Sequence, residues 1–168
     1  MAYCNALSVN EKLQPCYRIS GMTVDGGNDL KCTGYRLPTE AEWEFAANPP
    51  MLPRTIFAGS NKVDEVAWSG NAVSSTQAVK TKAPNGRGLY DLSGNVWEWV
   101  WDWYQADYGQ LPGNDPTGPV TGSERVIRGG SWNAATTKAR IAQRFKYAPT
   151  IGSGGDLGFR VVRSNPSR

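Results

Sequence analysis

The residues of this chain best suited to chemistry are carboxylates set among tryptophans. In "GNVWEWVWDWY", residues 94–104, Trp97, Trp99, Trp101 and Trp103 occupy every second position, with Glu98 and Asp102 between them. Alternate side chains of a β-strand point to opposite faces. The stretch therefore predicts a ribbon with tryptophan on one side and carboxylate on the other. The tryptophans are expected to pack in a core, because each buries a large area and needs a partner for its indole N–H. A sugar-stacking platform is the alternative, chiefly for Trp101 and Trp103 near the segment's end. Other reactive groups are few. The chain has no histidine, which removes Ser-His-Asp and Cys-His catalysis, histidine zinc sites and the facial iron triad. Cys4, Cys16 and Cys32 are odd in number, lie early and form no C-x-x-C pair. They read as buried thiols rather than a zinc site or a disulfide framework.

The elements that must position these residues are short. With 168 residues, 39% hydrophobic and 20% charged, the chain reads as one globular domain with a real core. Its 19 glycines and 11 prolines point to many turns and little long helix. No apolar run is long enough to span a membrane, and "MAYCNALSVNEK" lacks a signal-peptide pattern. That start reads as part of a helix with Tyr3, Ala6 and Leu7 on one side, so the chain start looks truncated. In "RLPTEAEWEFAA", Thr39 followed by Glu42 makes a capping box, and Ala41, Phe45 and Ala46 give the predicted apolar face. Residues 48–88 read mostly as loop, "GLYDLSG" as strand and turn, "RVIRGGSW" as a strand with a Gly-Gly bend, "KARIAQRF" as strand or short helix, and "LGFRVVRS" as a closing strand. The sum is an α+β fold with short strands, few helices and much irregular structure. Residues 124–168 hold nine lysines and arginines against Glu124 and Asp156, a surplus of seven. These cations are scattered, and the expectation is arginines that bond loop carbonyls and bury their stems rather than a surface for an anionic partner.

Four segments, "GYRLPTEAEWEFAA", "PNGRGLYDLSGNVWEWVWDWY", "RVIRGGSW" and "LGFRVVRS", together resemble the formylglycine-generating enzyme, or sulfatase-modifying factor, family. The resemblance covers nearly the whole chain as one domain, 1–168, without the family's usual N-terminal portion. It implies a variant C-type lectin-like fold. It also implies structural calcium, with Asp91 and Glu98 as side-chain ligands and Gly94 and Val96 as carbonyl ligands. A second calcium site maps to Asn61 and Asn71 with the carbonyls of Lys62 and Val73, where Asn71 replaces an acid found in some members. The alternative for Glu98 is capping of backbone amides without metal.

The family's enzymes oxidise a substrate cysteine with a copper-binding cysteine pair between the "GGSW" and "GFR" motifs. This chain has no cysteine between Trp132 and Phe159; where relatives read "CR" it has Ala139 and Arg140. The resemblance therefore implies no copper and no catalysis, with a formylglycine-generating oxidase, or its inactive structural relative, as the alternative. One branch of the fold serves as the variable protein of diversity-generating retroelements, in which a C-terminal segment is rewritten at adenines of Asn codons. Residues 133–156 are bordered like such a segment and rich in the residue types that rewriting yields. The display positions are then Ala134, Ala135, Thr137, Phe145, Tyr147, Ala148, Thr150, Ile151 and Ser153, with Phe145 and Tyr147 as aromatic anchors. Lys138, Gln143 and Lys146 fall outside those types and read as scaffold, and Arg140, Arg144 and Arg160 as structural. The implied role is binding a protein or other surface ligand of variable identity, at the bacterial cell surface or secreted, without nucleic acid and without membrane insertion.

Overall fold

A computed structural model describes residues 1–21, 23–27, 29–48, 53–108, 113–150 and 154–164. Helix α1 (Ala2–Asn10) buries Cys4 and Ser8, not the side carrying Tyr3, Ala6 and Leu7. Ser8 tolerates burial because its hydroxyl donates to the Cys4 carbonyl and accepts from the Tyr35 N–H, each at 2.8 Å. The antiparallel pair β1 (Arg18–Ser20) and β2 (Thr23–Asp25) follows, then β3 (Tyr35–Arg36). Around this region Cys16 and Cys32 form a disulfide, with their Cα atoms 5.7 Å apart. The expectation of three thiols is corrected here: an odd count does not preclude one pair, and the fold brings these two Cα atoms within bridging range. Cys4 keeps a buried thiol, whose pKa burial pushes up.

Helix α2 (Glu40–Ala47) starts at the predicted capping box. Thr39 Oγ1 accepts from the Glu42 N–H (3.1 Å), and Glu42 Oε2 accepts from the Thr39 N–H (2.9 Å). Its buried residues are Glu40, Trp43 and Ala47, whereas the sequence pointed to Ala41, Phe45 and Ala46. Phe45 is 52% exposed and carries the Arg87 guanidinium over its ring. Glu40 goes inward because Arg144 (2.6 Å) and Arg128 (3.4 Å) neutralise it there. Among the described residues of the long connection that follows lies a short helix, α3 (Val63–Val66). "GLYDLSG" is loop, not strand. Asp91, Gly94 and Asn95 have positive φ, and a Cβ on Gly94 would fall 2.3 Å from the Trp68 carbonyl oxygen.

The tryptophan segment forms β4 (Trp97–Trp103). It pairs antiparallel with β5 (Arg125–Arg128) and parallel with β7 (Leu157–Phe159). Beyond β5 lies β6 (Arg144–Tyr147), reached through a 3₁₀ turn at Thr136–Ala139, so the sheet order is β6-β5-β4-β7. Residues 157–164 split into two short strands, and β8 (Val162–Arg163) pairs with β3. The main core lies between α2 and this sheet and contains Trp43, Leu92, Val100, Val126 and Ile141. A second cluster, with Cys4, Cys16, Tyr17 and Leu37, joins α1 to the outer side of β4. No described helix is long and apolar enough to cross a membrane.

Candidate functional site

β4 has the alternation the sequence shows, with its faces used the other way round. Glu98, Val100 and Asp102 are buried, while Trp99, Trp101 and Trp103 are only half-buried; Trp97 alone of the four is buried. The expectation of a wholly tryptophan core is corrected accordingly. The carboxylates can occupy the core because donors meet them. Glu98 accepts from Trp43 Nε1 (2.6 Å) and from both Nε and Nη2 of Arg160 (2.6 Å each). Asp102 Oδ2 accepts from the Glu40 N–H at 2.7 Å. Burial, only partly offset by that bond and further raised by the nearby Glu40 charge, lifts the Asp102 carboxyl to about 7.

The same register brings two of the expected display residues onto the tryptophan side. Phe145 opposes Ile127, and Ile127 opposes Trp99. The Phe145 ring lies 5.5 Å from Trp97, and the Tyr147 ring 6.3 Å from Trp99, centroid to centroid. Phe145 remains 44% exposed, and Phe159 of β7 45%. Ala148 and Thr150 continue from the end of β6, flanking Pro149. Ala134, Ala135 and Thr137 lie on the preceding turn. Lys138 links that turn to the face, its Nζ 5.5 Å from the Phe145 ring centroid. Ile151 and Ser153 lie outside the described residues. Lys146 points the other way and pairs with Glu124 (2.7 Å). Arg144 and Arg160 hold buried Glu40 and Glu98; Arg140 is exposed and donates to the Thr137 carbonyl. Sequence reasoning missed Phe159 and Arg125 as members of this side. No sequence signal marked Arg125, since the register that sets it opposite Trp103 is seen only in the structure.

The residues assigned to calcium do not fit that ion as they stand. Both Glu98 oxygens are engaged by Arg160 and Trp43. The Asp91 carbonyl accepts from Arg160, and its Oδ2 accepts from the Lys80 N–H. A guanidinium thus lies against the carboxylate a dication would need. Gly94 and Val96 bracket the bend above it. At the second position, Asn61 Oδ1 accepts from the Ile56 N–H and the Lys62 carbonyl from the Glu65 N–H. Asn71 and Val73 add no carboxylate, where calcium favours charged oxygen ligands. Among the described residues no three His, Cys, Asp or Glu side chains are grouped to hold a metal ion.

The family described as the sulfatase-modifying factor enzyme 1-like domain matches residues 1–165. The chain belongs to this family. As a sulfatase-modifying factor domain it is 36% identical to chaperone protein LppX of Paenibacillus barcinonensis, over 96% of this chain and 65% of that protein. It is 39% identical to the formylglycine-generating enzyme of Streptomyces coelicolor, over 77% of this chain and 46% of the enzyme. It therefore spans less than two thirds of these relatives. Among solved structures, Treponema denticola variable protein 1 superimposes with a TM-score of 0.86 and 36% identity, over 98% of this chain and 67% of that one. CarF gives a TM-score of 0.75 at 29% identity, over 97% and 63% of the two chains. Ala139 is fully buried, and its carbonyl accepts from Ser93 Oγ at 2.8 Å.

Proposed function

We propose that this domain is a non-catalytic ligand-binding protein, with residues 133–156 as the replaceable part of its contact surface, in the manner of a diversity-generating retroelement variable protein. One observation carries this reading. Phe145 and Tyr147 stand on a strand paired to the sheet, and their rings meet buried Trp97 and half-buried Trp99 rather than the main core around Trp43. Contact groups on a rigid strand bind with little ordering cost. Substitution there leaves Glu40, Glu98 and their arginines in place. The likeness to Treponema denticola variable protein 1 agrees with it. With Ala139 at the "CR" position and no cysteine between Trp132 and Phe159, an oxidase of the family's kind is left without its thiolates.

The ligand under this proposal is a protein or other surface molecule whose identity follows the sequence of the segment. The Cys16–Cys32 disulfide supports an oxidising location, cell surface or secreted. Sequencing DNA for residues 125–163 from many independent clones tests the proposal. Variation confined to 133–156, with a nearby near-copy differing at adenines and a reverse transcriptase gene, is expected. An invariant segment without such a copy refutes it. Incubation with copper and a cysteine-bearing peptide is expected to yield no formylglycine; clear turnover would restore the oxidase.

A further inference from the structure

The buried arginines of this fold are not alike. Arg36 has Glu42 at 2.6 Å and Arg128 has Glu44 at 2.7 Å. The half-buried Arg144 and Arg160 each have a carboxylate at 2.6 Å. Arg125, only 6% exposed, has no ion pair among the described residues. Its guanidinium carbon lies 4.4 Å from the Trp101 ring centroid and 4.0 Å from that of Trp103. One Nη1 bond goes to the Trp101 carbonyl. A guanidinium carries five N–H donors in a planar fork shaped for a carboxylate, so most of this fork has no described acceptor.

That side chain lines two cavities at once. The larger, about 510 Å³, is walled by Trp101, Trp103, Thr23, Thr117 and Thr121. The smaller, about 180 Å³, is apolar, with Met1, Leu37, Trp99 and Phe159 around it. The larger cavity lies within the size range of small-molecule sites, which combine apolar walls with a few placed polar groups. Asp25 also lines it and disfavours a dianion.

We infer that Arg125 and the tryptophan face form a fixed binding site for a small monocarboxylate with an aromatic or branched apolar body. The carboxylate meets the open guanidinium fork, and the body lies against Trp99, Trp101 and Phe159. This site is built mainly from β4, β5 and β7, and residues 133–156 contribute Pro149 to the rim of both cavities. Burial lowers the Arg125 pKa to about 10, against the pull of Tyr17 and Asp102. The group stays charged at neutral pH.

The test is a titration of the full chain with phenylacetate, its neutral amide phenylacetamide, and sulfate. Tryptophan fluorescence and melting temperature are the readouts. Phenylacetate is expected to change the fluorescence saturably and to raise the melting temperature, which bound native-state ligands do by mass action. Phenylacetamide and sulfate are expected to do neither. Arg125→Lys should weaken phenylacetate binding by roughly tenfold or more, because a point charge does not reproduce the fork. The indole N–H resonances of Trp101 and Trp103 in the unaltered protein provide a readout that needs no variant. They should shift with phenylacetate and not with the amide. No saturable response, an equal response to the amide, or an equal response to sulfate overturns the proposal.

Discussion

Replacing Asp102 with asparagine should change how stability depends on pH. The carboxyl is buried on the core side of β4 and titrates near 7 in the folded protein, against an ordinary value of 3.8. A raised carboxyl pKa means the folded state holds the proton more tightly than the unfolded chain. Its contribution is complete below the unfolded pKa and is lost as pH climbs through the folded one. The full loss is about 4 kcal/mol, at 1.36 kcal/mol per unit. Between pH 5 and pH 8 the expected part is roughly 2.5 kcal/mol. The side-chain amide that replaces the carboxyl can still accept from the Glu40 N–H, so the helix start should survive. Urea unfolding of both proteins at pH 5, 6, 7 and 8 measures the difference. The wild type should lose about that much relative to Asp102→Asn as pH rises. Parallel profiles would show that the α2 N-terminus and Arg125 compensate the charge fully, and would refute the reasoning.

Glu98→Gln removes the charge that faces Arg160 and should cost roughly 3 kcal/mol in denaturant titration, as for other broken buried pairs. Because Arg160 already supplies positive charge to Glu98, melts in calcium and in chelator should coincide; a calcium-dependent rise of several degrees would show that the arginine gives way to the ion. The paired changes Cys16→Ser and Cys32→Ser open a loop with a sequence separation of 16 and should cost about 3 kcal/mol, read by urea midpoint. Phe145→Ala with Tyr147→Ala should leave the unfolding free energy within about 1 kcal/mol, since both side chains retain solvent exposure, while abolishing capture of any ligand selected against the wild-type surface.

The capping box of α2 was legible because both of its bonds join residues three apart. The alternation of β4 was legible for the same local reason. Which side of β4 turns inward was not. That choice is made by Trp43, Arg160 and the Glu40 amide, which are 55 to 62 residues away from the carboxylates they meet. Lone carboxylates look like a solvent face; carboxylates met by an arginine fork, an indole and a helix amide do not. The inward turn of Glu40 on α2 has the same origin. Phe145 and Tyr147 could be named from residue type and position between two family motifs, but their tryptophan partners required the register of three strands. The disulfide was hidden because odd cysteine counts and sequence spacing say nothing of Cα separation. Arg125 was hidden because its character lies in the absence of a carboxylate that the other buried arginines have.

The four residues of β6 divide the labour by parity. Arg144 and Lys146 take up Glu40 and Glu124, while Phe145 and Tyr147 turn to the tryptophans. Exchanging one letter for another at 145 or 147 therefore rewrites the outside and leaves the inside untouched. Adding or deleting a single residue before β6 would do the opposite. It would rotate an arginine outward and an aromatic ring onto the buried carboxylate of Glu40. A lineage exploring new surfaces on this frame is free to respell the strand and is held to its length.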